Sequence, residues 1–221
     1  MVKKLLPDIA VIFLSVILGG SFTLIYFGWR TTAPPPSRQA TSLPQPLPAF
    51  SWAAAPSQTL TGQVLAVSGD FTWQSRTATA PAAFLTPPVL QQGDSLFAGA
   101  SGSALISFPP AAGLAVYPKT RLNIIQTLPS DLVFEQLGGR VDYSASSSSP
   151  LSVRAAHLLV RLTAGSLSVA FNTPSNRITV TVSTGSATLA FNDLNLQTQV
   201  ATLSARRSYL YNDATRRGYS F

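Results

Sequence analysis

Hydrophobic and polar residues alternate with a period of two through most of the chain after Leu60. Such alternation, together with many β-branched residues, is typical of strands that bury one face. Turn-forming residues separate the alternating segments at a spacing of roughly 8–12 residues. The clearest strands are predicted at 71–74, 104–108, 158–162, 167–171, 178–182 and 187–191, and turns at 172–176, 183–186 and 192–193.

These patterns predict an all-β fold class, a two-layered β-sandwich or roll of short antiparallel strands. The β-domain is predicted to span residues 59–221. No segment after Trp29 has the 3.6-residue period of an amphipathic helix.

A charge-free run of 21 residues, 9–29, precedes this domain (IAVIFLSVILGGSFTLIYFGW). A helix of this length spans about 30 Å, the thickness of the hydrocarbon core of a bilayer. The run is longer than the roughly 7–15 apolar residues of a signal peptide, and three prolines, 34–36, follow the first small-residue cleavage site. The sequence therefore predicts an uncleaved transmembrane helix, with a cleaved signal peptide or a buried helix of a soluble protein as alternatives.

The orientation of this helix is predicted from its flanks. Lys3, Lys4 and the terminal amine precede it, and Arg30 and Arg38 follow it. Positive charge is retained in the cytoplasm. We expect residues 1–8 to be a short cytoplasmic tail and the protein to be a single-pass protein of the inner (cytoplasmic) membrane, with its β-domain in the periplasm.

A proline-rich linker is predicted at residues 30–58, which contain seven prolines. Proline fixes φ and removes a backbone donor, so such a segment is extended and semi-rigid. The linker is expected to hold the β-domain away from the membrane.

The distribution of charged residues adds little to the prediction of function. Four of the 15 basic residues and one of the 8 acidic residues precede residue 39, which leaves 11 and 7 in the rest of the chain. The surplus is spread thinly and forms no basic helix, so no nucleic-acid partner is predicted. The partners expected are the membrane, through the N-terminal helix, and an unknown envelope protein or anionic glycan.

The glycine-rich stretch 90–108 (LQQGDSLFAGASGSALISF) lacks the lysine of a phosphate-binding loop and the G-x-S-x-G spacing of a nucleophile elbow. Its glycines are therefore predicted to allow positive φ at tight turns. The chain has one histidine, His157, which is expected on a polar strand face, and no cysteine. No catalytic, metal or cofactor site is predicted.

An envelope glycan or peptide hydrolase remains the alternative function. It would need two carboxylates to converge in a concave pocket, about 5 Å apart for a retaining mechanism or roughly 6.5–9.5 Å apart for an inverting one. The candidates are Asp70, Asp94, Asp131, Glu135, Asp142, Asp193 and Asp213.

A candidate contact surface lies in the C-terminal segment 205–221, which carries four arginines and three of the six tyrosines of the chain. Arginine binds carboxylates and phosphates through paired hydrogen bonds, and tyrosine is enriched at interfaces. The alternative is an edge hairpin whose arginines keep other strands away. The surface is predicted to comprise Arg206, Arg207, Tyr209, Tyr211, Arg216 and Arg217.

Several short motifs follow one another in a characteristic order, and this order resembles the extracytoplasmic FecR domain. Where that family has V-R-G-T, this chain has Leu162 in place of glycine, and Ala164-Gly165 is expected to supply the turn. The motifs are GQV and VSGD within 62–70, LQQGDSL at 90–96 with GSA at 102–104, AVYPKTRL at 115–122, LGGRV at 137–141, PLSVR at 150–154, VRLT at 160–163 and VTVSTGSA at 180–187.

The resemblance implies a β-rich, non-enzymatic extracytoplasmic module. The best-known members of the family carry signals across the inner membrane and contact a sigma factor through a cytoplasmic segment. Residues 1–8 are too short for such a segment. We therefore expect a binding, scaffolding or signalling module of the cell envelope that does not contact a sigma factor directly.

Overall fold

The computed structural model describes residues 59–84 and 86–221. The tail predicted at 1–8, the transmembrane helix predicted at 9–29 and the linker predicted at 30–58 lie outside the described residues. Within the described residues, no helix is long and apolar enough to cross a membrane.

Strands account for most of the described chain, and the prediction of an all-β domain is confirmed. A single 3₁₀ turn, Thr173–Ser175, is the one helical element of the described residues. The strands are β1 (Gly62–Ser68), β2 (Phe71–Gln74), β3 (Ala82–Ala83), β4 (Val89–Leu90), β5 (Ser95–Ala98), β6 (Ser103–Phe108), β7 (Ala112–Val116), β8 (Arg121–Leu128), β9 (Asp131–Ala145), β10 (Leu151–Ala155), β11 (Leu158–Asn172), β12 (Arg177–Asn192), β13 (Thr198–Ser204), β14 (Arg207–Asn212) and β15 (Arg217–Ser220).

Hydrogen bonding joins the 15 strands of the described residues into one mixed sheet. Three long strands, β9, β11 and β12, pair with different neighbours along their two ends. They therefore belong to two half-sheets at once. The first half-sheet has the order β3-β2-β5-β8-β9-β10-β11-β12-β13, and the second has the order β4-β1-β6-β7-β9-β11-β12-β14-β15.

Glycines with positive φ mark the points where the long strands pass from one half-sheet to the other. Gly139 in β9 has φ of 80°, Gly165 in β11 has φ of 111° and Gly185 in β12 has φ of 80°. Gly165 and Gly185 are directly paired. Residues with a Cβ rarely adopt this conformation, so glycine permits the change of direction here. The prediction of turns at Ala164-Gly165 and at 183–186 is therefore wrong, because both segments are bends within continuous strands.

Two other details of the predicted fold are also corrected. β9, β11 and β12 are 15, 15 and 16 residues long and are not short. β10 pairs with β9 in parallel, with Leu151 opposite Leu132. The physical reason is that β9 crosses both half-sheets. After the end of β9 the chain returns to the first half-sheet. There β10 runs in the same direction as the first part of β9, so the two strands are parallel.

One hydrophobic core lies between the half-sheets. The rings of Phe108 in β6 and Phe134 in the first part of β9 have centroids 5.5 Å apart, and the rings of Phe191 and Tyr211 are 4.8 Å apart. Each pair joins one half-sheet to the other. The apolar positions predicted to face the core in 158–162, Leu158, Val160 and Leu162, are all fully buried.

Candidate functional site

The face of the second half-sheet that is turned away from the core carries two adjacent rows of side chains, which we call the outer rows. Strand register defines them, because residues opposite each other on neighbouring strands point to the same side. The first row runs through Ala115, Asp142, Ser168, Thr181, Ser208 and Phe221. The second runs through Tyr117, Arg140, Ala170, Thr179, Leu210 and Tyr219.

An open depression of about 600 Å³ lies over the middle of the outer rows. Its floor is low because most of the side chains there are small. Each hydroxyl can both donate and accept a hydrogen bond. The serine and threonine residues that line the depression are Ser144, Ser166, Ser168, Thr179, Thr181 and Ser183.

A compact group of charged and polar side chains borders this floor. The Arg140 guanidinium makes two hydrogen bonds to the Asp142 carboxylate, from Nε to Oδ1 and from Nη2 to Oδ2, both 3.1 Å long. The Tyr117 hydroxyl donates to Oδ2 of Asp142 at 2.8 Å, and Arg140 Nε also donates to Ser168 Oγ at 3.2 Å. The guanidinium lies over the Tyr117 ring, 4.6 Å from its centroid.

The electrostatics of this group favour fixed protonation states. Burial raises the pKa of Asp142, but hydrogen bonds with Ser168, Arg140 and Tyr117 outweigh it and lower the pKa. The hydrogen bond to Asp142 and the charge of that carboxylate raise the pKa of Tyr117, and the hydrogen bond to Asp142 also raises the pKa of Arg140. At neutral pH the group is a guanidinium, a carboxylate and a neutral phenol. The charges of Arg140 and Asp142 therefore offset each other within the group.

The tyrosines of the predicted C-terminal contact surface point inward. Tyr211 is fully buried against Phe191, and Tyr209 is 6% exposed. Their shared strand face was predicted, but that face is the core face. Tyr219 points outward and is 61% exposed. Tyr209 and Tyr211 therefore belong to the core in this structure, and a role for them in contacting a partner stays a prediction.

The four arginines of that predicted surface do not form one cluster. Arg206 and Arg207 lie where β14 begins, whereas Arg216 and Arg217 lie beyond its other end. Arg216 donates from Nη1 to the carbonyl of Asn192 at 3.3 Å, and Arg217 pairs with Asn212. The role of these arginines in binding stays a prediction.

The carboxylates considered for hydrolysis have separate local partners. Buried Asp94 accepts from the Trp73 indole at 3.2 Å and from two backbone amides, and Glu135 forms an ion pair with Arg154. Asp131 accepts a hydrogen bond from Ser152, and Asp142 binds Arg140. Asp193 accepts hydrogen bonds from backbone amides of the loop that follows β12, and Asp213 binds the exposed His157. Asp70 is itself exposed.

Sequence reasoning missed the outer rows. Their sequence signal is the recurrence of serine and threonine at alternate positions of β11 and β12, such as Ser166 and Ser168 or Thr179 and Thr181. By itself, that pattern predicts only the polar side of half-buried strands. Only the pairing of β11 with β9 and of β12 with β14 shows that these hydroxyls adjoin Arg140 and the outward-facing C-terminal aromatic residues.

Comparison with known proteins shows a likeness of fold. No family model matches the sequence, and no curated protein matches it. Two crystal structures, each of a candidate anti-sigma factor from Parabacteroides distasonis ATCC 8503, superimpose with a TM-score of 0.50 at 14% and 13% identity. Each alignment covers 57% of this chain and 58% of the other. At this identity the likeness shows a similar fold over the aligned part of the chain.

Proposed function

We propose that this protein is a membrane-anchored, extracytoplasmic module of the cell envelope, built as a two-layered β-roll, that binds a ligand and does not catalyse a reaction. The observation that carries the proposal is the composition of the outer rows. They present many hydroxyl groups and one charged pair, Arg140 and Asp142, whose opposite charges neutralise each other. Such a face offers hydrogen bonds to a ligand but no activated nucleophile or general acid.

The fold shared with candidate anti-sigma factors supports a place in regulation or signalling. The motifs that resemble the FecR domain point the same way. In this proposal the β-domain detects a ligand outside the cytoplasmic membrane. A partner protein with a cytoplasmic domain of its own then carries the signal inward.

A glycan or peptide hydrolase is the less favoured function. A glycoside hydrolase needs a carboxylic acid whose pKa is raised, so that it stays protonated. Burial raises the pKa of Glu135, but hydrogen bonds from Arg154 and Asn123 outweigh it and lower the pKa. The pKa of Asp142 is also lowered. Both groups are therefore ionised at neutral pH, which favours a structural role for them.

Retention of the full chain on envelope material tests the binding role. Native membranes are extracted with a mild detergent, and the fraction of the protein that stays with the insoluble envelope is measured. Wild type should be retained, and Thr181→Arg should be released because the new side chain fills the floor of the depression. Val89→Arg, at an exposed position of β4, is the matched control and should behave as wild type. Equal extraction of all three proteins would contradict the proposal.

Topology is tested separately in spheroplasts. Added protease should degrade the β-domain and leave a short membrane-bound stub. A domain that is protected until detergent is added would place it on the cytoplasmic side and would refute the proposed location.

A further inference from the structure

We propose that the outer rows bind an extended, uncharged glycan strand whose sugar rings lie across β11, β12, β14 and β15. This inference rests on the proposed role as a binding module and names its ligand class. A pair of aromatic side chains lies at one end of the rows. Tyr219 and Phe221 are each 61% exposed, and their ring centroids are 6.2 Å apart.

The aromatic pair continues directly from the hydroxyl floor. Tyr219 is paired with Leu210, and the backbone amides and carbonyls of Ser208 and Phe221 bond to each other at 2.9 and 3.1 Å. On the next strand, Thr181 Oγ1 lies 3.0 Å from Ser208 Oγ. Hydroxyl groups and exposed rings thus form one continuous surface.

This combination matches the chemistry of a sugar. A pyranose ring carries hydroxyl groups around its edge and C–H groups on its faces. The serine and threonine hydroxyls can exchange hydrogen bonds with the edge, and the aromatic rings can cover the apolar face. Binding sites commonly combine aromatic surface with a few oriented polar groups.

The charge pattern favours an uncharged ligand. Arg140 and Asp142 are the charged members of the two rows, and they bind each other through paired hydrogen bonds. Two further cationic residues lie next to the second row: Arg177 is two residues from Thr179, and Arg217 is two residues from Tyr219. Each is paired with Asn212. An anionic polymer would be held by these marginal arginines, whereas the side chains of the rows themselves carry no net charge.

The dimensions favour a polymer. The outer rows cross six strands from β7 to β15, and the four strands proposed to carry the sugar rings span three strand spacings of about 4.8 Å, or about 14 Å. The depression is open, so a chain can enter and leave it without an end wall. A small-molecule site would normally enclose most of its ligand, so the shape fits a strand of several sugar units.

The test uses the full chain, purified in detergent micelles, and isothermal titration calorimetry. The probes are three neutral hexasaccharides, chitohexaose, cellohexaose and maltohexaose, and heparin as the anionic polymer. We expect at least one neutral hexasaccharide to bind, with an affinity that changes little with salt, because an uncharged ligand forms no ion pair with the protein. The double variant Tyr219→Ala, Phe221→Ala should bind it at least about tenfold more weakly.

The matched control truncates two other exposed apolar side chains, Leu196→Ala and Val200→Ala, which are 83% and 65% exposed and lie in the loop after β12 and on β13, outside the outer rows. It should bind as wild type does, and circular dichroism should show that both double variants are folded. Equal weakening in both would overturn the inference. So would a failure to bind all three neutral probes, or binding of heparin alone that salt abolishes. If retention on the envelope is lost with Thr181→Arg while no neutral glycan binds, the binding role stands and its ligand belongs to another class, such as a protein.

Discussion

The paired glycines at the bend provide the sharpest test of the fold, and Gly185→Ala is the perturbation to make. Gly185 has φ of 80°, and a Cβ added there would lie 2.1 Å from the carbonyl oxygen of Ala164. A residue with a Cβ pays roughly 1–2 kcal/mol for a left-handed conformation. The close backbone contact adds to this, because the Ala164 carbonyl lies in the bend of β11 and must shift. We expect the free energy of unfolding to fall by about 2–3 kcal/mol.

Gly113→Ala is the matched control in the same half-sheet. A Cβ at Gly113 would lie 2.8 Å from Ser144 Oγ, the end of an exposed side chain that can rotate away, and Gly113 has no positive φ. Urea unfolding of the full chain in micelles, followed by circular dichroism, measures both variants. With a slope of about 1–3 kcal/mol per molar urea, Gly185→Ala should lower the midpoint by roughly 0.7–3 M. A change within about 0.5 kcal/mol of the Gly113→Ala value would refute the reasoning, since a surface change of that size needs no strained bend.

The remaining predictions concern ionisable side chains. The pKa of Asp142 is lowered in the fold, so its contribution to stability is present above the unfolded value of about 3.9 and is lost as pH falls through the folded value. Asp142→Asn should flatten the acid limb of the stability curve, and an unchanged limb would contradict this. Burial raises the pKa of Tyr211 to about 12, so its contribution is present below the unfolded value of about 10 and is lost as pH rises through the folded value. Tyr211→Phe should reduce the alkaline loss, which a pH series of unfolding curves would show. The four C-terminal arginines, Arg206, Arg207, Arg216 and Arg217, are predicted to contact an anionic envelope polymer. Replacing them by glutamine should abolish salt-sensitive retention on that polymer. Unchanged retention would leave protection of the edge strand as their only role.

Some sequence predictions failed because they treated a tertiary contact as a local one. Gly99 and Gly102 were expected to need positive φ, yet among the described residues with positive φ the only glycine of this stretch is Gly93. A Cβ on Gly99 would lie 2.0 Å from the Asp70 carboxylate, and one on Gly102 would lie 2.0 Å from the Asp70 carbonyl. These glycines are required because the chain near Asp70 packs against them. Nothing within residues 90–108 could have shown this.

The sequence by itself determined that the domain is all-β and which residues of many strands face the core. It could do so because alternation is a local property, so that Leu158, Val160 and Leu162 must share one face whatever lies opposite. The same rule placed Tyr209 and Tyr211 on one face but could not tell which face was inside. Only the tertiary structure decided that, along with the bends of the long strands, the parallel return of β10 and the assembly of the outer rows. These features depend on pairings between residues far apart in the chain, whose energies no local pattern contains.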